Sequence, residues 1–106
     1  MKRILVIHGP NLDLLGQREP AIYGRVTLGE INNELRKLAK KRKINLAIKQ
    51  SNHEGEIVDL IGKAKKDYLG LLINPAAYTH TSVAIRDAIA ACGIVTVEVH
   101  ISNIYS

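Results

Sequence analysis

The sequence predicts a three-layer α/β fold built on a parallel sheet of strand order 2-1-3-4. Three observations carry this prediction. Short apolar runs alternate with stretches of helical periodicity along the whole chain. The first and third runs, Ile4-Leu5-Val6-Ile7 and Leu69 to Ile73, are continuous rather than alternating, the mark of strands buried on both faces. Strands joined through helices must run parallel, with right-handed crossovers.

The elements follow in order. After the first strand, Pro10, Gly16, Pro20 and Gly24 punctuate a long polar loop. Thr27-Leu28-Gly29-Glu30 reads as a capping box, and Leu28, Ile31, Leu35 and Leu38 then recur at helical spacing. Ile44, Leu46 and Ile48 alternate as a second strand. Ser51 and Glu54 read as another capping box, opening a helix whose apolar face is Ile57, Leu60, Ile61 and Ala64. After the third strand a helix from about Thr81 to Cys92 is expected. Its inner face is Val83, Ala84, Ala88 and Ala91, and Gly93 stops it. Ile94 to Val99 is the fourth strand. The arrangement is of flavodoxin-like type, and residues 1–106 read as one domain without repeats or linkers.

Composition narrows the function. At 106 residues, 46% hydrophobic and 24% charged, the chain has an ordinary globular make-up and can bury a core without staples. The single cysteine, Cys92, excludes an intramolecular disulfide and lies in an apolar stretch, so a buried inert thiol is expected. No apolar run approaches the ~18 residues of a membrane span, and the first residues do not read as a signal peptide. The expected location is cytoplasmic. The net charge of +5 favours anionic partners, but Arg36, Lys37, Lys40, Lys41, Arg42 and Lys43 cluster at a helix end, where cations complement the dipole. Phe and Trp are absent and the four Tyr are scattered, so no stacking platform for nucleic acid is present.

The fold says where ligands bind: beyond the carboxyl ends of the strands, at the switch point between strands one and three. The residues leaving those ends are His8-Gly9-Pro10-Asn11, Asn74 to His80, and Glu98 to Asn103. Glu98 and His100 share a strand face, so a carboxylate can fix the imidazole's tautomer for acid–base work; a surface ion pair fits the spacing equally well. Asn11 and Asn74 each adjoin a proline and either hold ligand oxygens or cap turns. His80 is a ligand contact or a solvated helix-start residue. His8 and His53 read as structural. Arg18 and Tyr23 lie between Gly16 and Gly24 in a segment able to act as a lid; an arginine beside a tyrosine lowers its pKa toward use as a base, and a Tyr packed on the core is the plainer reading. The sequence holds no nucleotide-binding glycine fingerprint, no histidine set at metal spacing and no lysine that stands out in the convergent loops.

Ile7 to Gly16 with Arg18-Glu19-Pro20 and Tyr23-Gly24, then Ser51 to Gly55, Ile73 to Ser82 and Val97 to Ile104, resemble in order and spacing the blocks of the type II 3-dehydroquinate dehydratase family. The resemblance covers the whole chain. It implies a flavodoxin-like fold and dehydration of 3-dehydroquinate to 3-dehydroshikimate in the shikimate pathway, by anti elimination through an enolate, without metal or cofactor. It further implies that Tyr23 removes the C2 proton and that Arg18 holds it as phenolate. Asn11 would help stabilise the enolate, and His100, oriented by Glu98, would protonate the departing C1 hydroxyl. Asn74 and the backbone N–H groups of Ile101 and Ser102 would hold the carboxylate, and His80 a ring hydroxyl. Family members are dodecamers built from trimers, and Asp87 would reach a neighbour's site.

The family's fifth strand, last helix and a substrate-clamping arginine fall past Ser106. A chain ending there leaves strand four as a bare edge and is expected to fold poorly alone, so further residues including that arginine are expected. The alternative function is a non-catalytic assembly or carboxylate-binding subunit of the same fold. The acid–base set Tyr23, Arg18 and His100 speaks against it, since a binder needs none.

Overall fold

The computed structural model of the chain describes residues 2–17, 21 and 24–100. Among them are four strands, β1 (Lys2–His8), β2 (Ile44–Gln50), β3 (Gly70–Asn74) and β4 (Val95–Glu98), all parallel in the order β2-β1-β3-β4. Three α-helices connect them: α1 (Leu28–Lys41), α2 (Glu54–Asp67) and α3 (Val83–Cys92). The expected topology is therefore observed.

Strand alternation divides the apolar residues between two layers. Leu5 and Ile7 on β1 and Leu71 and Ile73 on β3 pack with Ile57, Ile61 and Ala64 of α2 and Ile85 of α3 into the main core. Val6 and His8 point to the other side, where α1 lies over β1 and β2, and His8 reaches Asn32 of α1. β1 is buried on both faces, which is why its sequence is an unbroken apolar run. β4 is the edge strand of the described sheet, and its Val95 and Val97, with Val99 just beyond, stay exposed at 75%, 56% and 41%.

Helix ends show where local signals decide. Thr27 caps α1, its hydroxyl accepting the Glu30 N–H at 3.2 Å, and the helix closes with Lys40 and Lys41 at the negative end of its dipole. Ser82 caps α3 by accepting the Ile85 N–H at 2.9 Å, and Gly93 ends it in the left-handed conformation at φ 70°. The Ser51–Glu54 capping box does not form. The helix begins two residues later, with His53 at its N-cap, and Ser51 accepts the His53 N–H at 3.0 Å in a tight turn.

The inner face of α3 also differs from expectation. Val83, Ala84 and Ala91 face outward, while Ile85, Ala88, Ile89 and Cys92 pack on the core. Apart from Arg86 and Asp87 this helix is apolar, so apolarity alone does not separate Val83, Ala84 and Ala91 from the residues that turn inward. Cys92 is half-buried against the core rather than fully enclosed. On α1, Leu38 lies 53% exposed, and Ala39 is the buried residue of that turn.

Candidate active site at the strand ends

The tips of β1 and β3 touch backbone to backbone. The Gly9 N–H donates to the Asn74 carbonyl at 2.8 Å, and a Cβ at Gly9 would lie only 2.7 Å from the Pro75 oxygen. Only glycine permits that approach. Past it the chain turns at Asn11, whose φ of 65° is left-handed, and runs through the short 3-10 turn Leu12–Leu14. Leu12 and Leu15 are buried and anchor this loop.

The β3 tip turns on its own side chain. Asn74 is buried and its Oδ1 accepts the Ala76 N–H at 3.0 Å, an Asx turn that accompanies the left-handed φ of 51° at Ala76. A second 3-10 turn, Ala76–Tyr78, leads to Thr79 and His80. Asn74 thus fills the turn-forming role with its oxygen and still lines the space above it.

That space is a cavity of about 490 Å³ lined by Asn11, Leu15, Asn74, Thr79, His80 and His100 among others. Four of the predicted site residues, Asn11, Asn74, His80 and His100, therefore meet on one wall-to-wall site drawn from three strand ends. Glu98 stands behind His100, its Oε2 2.9 Å from Nε2. The ring's other nitrogen, Nδ1, lies 3.5 Å from Thr79 Oγ1, whose hydroxyl donates to the Ala76 carbonyl. Both members of the Glu98–His100 pair are partly open to water, at 44% and 43%. Asp87 is exposed on α3 and does not line the cavity. Arg18, Tyr23, Ile101 and Ser102 lie outside the described residues.

His8 finds a hydrogen-bond partner on α1. It is buried at the tip of β1, its Nε2 2.8 Å from Asn32 Oδ1, and with an amide oxygen as acceptor that nitrogen carries the hydrogen. Burial pushes its pKa below 6.5, partly opposed by the Asn32 bond. His8 and His100 share a smaller cavity of about 200 Å³ between α1 and the sheet. A larger open groove of about 1100 Å³ is walled by α1 and Val26 alone, away from the strand ends. Among the described residues no three His, Cys, Asp or Glu side chains converge as a metal site would require, and no helix is long and apolar enough to cross a membrane.

Two residues without a role in the sequence reading help build the site. Thr79 faces His100, and Asn52, just past β2, accepts the Asn11 N–H at 2.9 Å. Each lies inside a quoted block, and position relative to the strand ends is the signal that points to Thr79.

Comparison with known proteins agrees with this geometry. Residues 2–106 match the family described as dehydroquinase class II. The chain is 65% identical over 102 residues to a 3-dehydroquinate dehydratase of Acaryochloris marina, covering 96% of this chain and 68% of that protein. It is 55% identical over 106 residues to one from Endomicrobium trichonymphae, covering 100% and 74%. The crystal structure of a type II dehydroquinase from Butyrivibrio crossotus superposes with a TM-score of 0.92 at 46% identity, over 99% of this chain and 74% of that one.

Proposed function

Because the chain belongs to the class II dehydroquinase family, we propose that it dehydrates 3-dehydroquinate to 3-dehydroshikimate, a step of the shikimate pathway. The observation that carries this reading is the strand-end cavity, where two amides and two imidazoles converge with a carboxylate on the second ring.

The elimination needs a base for a proton next to a ketone, an acid for the leaving hydroxyl, and donors for the oxygens between. In this reading Tyr23, as a phenolate held by Arg18, takes the C2 proton. The electron pair left behind forms the enolate, stabilised through Asn11. Collapse of the enolate forms the C1–C2 double bond and expels the C1 hydroxyl, which His100 protonates to water. Glu98 occupies Nε2, so Nδ1, beside Thr79, is the nitrogen that delivers this proton. The nearby carboxylate stabilises the imidazolium from which it leaves. Asn74 holds the substrate carboxylate through its amide hydrogens, with the N–H groups of Ile101 and Ser102, and His80 holds a ring hydroxyl. No step calls for a metal or cofactor.

Residues 1–106 act in this reading as one domain in a cytoplasmic homo-oligomer, a dodecamer built from trimers in which Asp87 serves a neighbour's site. Its exposed place on α3 suits that role, and the uncovered Val83 and Val95 suit burial between copies. The test follows the enone absorbance that appears when the protein meets 3-dehydroquinate. Tyr23→Phe should lower turnover by at least about 10²-fold with substrate binding little changed. A Phe variant that keeps most of its turnover removes Tyr23 from the mechanism, and no enone from the parent protein overturns the reading.

A further inference from the structure

Asn52 lines no part of the cavity, yet both of the cavity's walls hang on it. Its Oδ1 accepts the backbone N–H of Asn11 at 2.9 Å. The same oxygen accepts from Gln50 Nε2 at 3.0 Å, and Gln50 Nε2 also donates to the Gly9 carbonyl at 3.1 Å. On the opposite wall the Tyr78 hydroxyl donates to the Asn52 carbonyl at 3.0 Å, and Tyr78 ends the turn that carries Ala76 and Ala77. The end of β2 therefore ties the β1 loop to the β3 loop through one side chain and one carbonyl.

Asn11 needs such a tie. Its left-handed backbone is a conformation that asparagine tolerates better than most residues but does not prefer. Losing the bond to its N–H frees the backbone to return to the favoured region, which swings the Asn11 side chain off the cavity wall. The Asn11 amide acts on charge that develops during reaction, so misplacing it weakens the transition state more than the bound substrate.

We propose that Asn52 is a positioning residue for the dehydration, acting through Asn11, with Gln50 holding its amide in place. The proposal rests on the dehydratase reading above. Asn52→Ala should lower kcat by about tenfold or more, within the range that misplacement of a reacting group reaches, and leave KM within about threefold. In an Asn11→Ala background the same substitution should cost less than about twofold more, because its target is gone. Asn52→Asp keeps the acceptor oxygen and should retain kcat within about threefold.

Gln50→Leu keeps the test open if Asn52→Ala does not fold: it should lower kcat by about three- to tenfold, again with the loss vanishing in the Asn11→Ala background. Multiplicative losses in either cycle, an unchanged kcat in folded Asn52→Ala, or a folded Asn52→Asp with a tenfold loss overturn the proposal while a parent protein with turnover leaves the dehydratase reading standing. A parent protein that makes no enone overturns both.

Discussion

β1 and β4 deliver side chains to the same cavity from opposite kinds of strand. β1 lies in the middle of the sheet, buried on both faces, and its tip is held by the Gly9–Asn74 and Ser51–His8 backbone bonds. β4 is the described sheet's edge; its Val95 and Val97, with Val99 and His100 just beyond, are exposed among the described residues, and Glu98 meets His100 at 2.9 Å. The difference shows in the letters of each strand: burial on both faces writes β1 as an unbroken apolar run, while β4 alternates Val95 and Val97 with Thr96 and Glu98. In the proposed reaction the groups that hold substrate oxygens need a fixed place, and the buried, cross-tied tip of β1 supplies one.

The largest effect separating the two strands concerns packing. Ile7 of β1, fully buried, should cost about 2–5 kcal/mol on replacement by Ala, whereas Val97→Ala on β4, exposed among the described residues, should cost clearly less, about 1 kcal/mol. Denaturant unfolding of both variants measures the contrast. A Val97 loss as large as that of Ile7 would contradict this ranking of the two strands.

Gly9→Ala sharpens the comparison at the β1 tip. The new Cβ would meet the Pro75 carbonyl oxygen and carbon and the Asn74 oxygen at 2.7, 2.8 and 2.9 Å, all backbone atoms that no rotamer change can move aside. The expected cost is about 1–3 kcal/mol, and turnover should fall with it because Asn11 follows two residues later. Unchanged stability and turnover would show that the tips of β1 and β3 are not held together as described.

The smallest effect is a pH dependence at His8. Burial keeps its folded pKa below 6.5, so below that pH the unfolded chain takes up a proton that the folded chain does not. Stability from this group is present above pH 6.5, declines as pH falls toward the folded value, and levels off beneath it. His8→Gln keeps a polar group near Asn32 but does not titrate there. Between about pH 7.5 and 5 the melting temperature of the parent should fall further than that of the variant. Parallel curves would contradict a neutral buried His8.

The sequence makes β1 and β3 legible because burial on both faces leaves an unbroken apolar run that admits few readings. It makes the Glu98–His100 pair legible because strand alternation fixes which residues share a face. α3 is read one step out of phase because Val83, Ala84 and Ala91 are as apolar as the residues that turn inward. Ser51-Asn52-His53-Glu54 has the letters of a capping box, yet a turn at Asn52 starts the helix later. Asn52 itself is illegible from sequence, since every bond that gives it importance joins it to a distant loop or to the strand before it. His8 lacks a visible partner for the same reason: Asn32 lies on α1, and only folding brings the two together.

In the proposed reaction the strand-end cavity performs the elimination with His100, just past the end of β4, as its acid. Steady-state turnover of 3-dehydroquinate by the parent protein and by His100→Gln tests it directly, with thermal unfolding followed on the same samples. Enone formation by the parent is expected, with a loss of about 10²-fold or more in the variant and a melting temperature little changed, because His100 lies outside the hydrophobic core. A folded His100→Gln variant that turns over substrate near the parent's rate would contradict it.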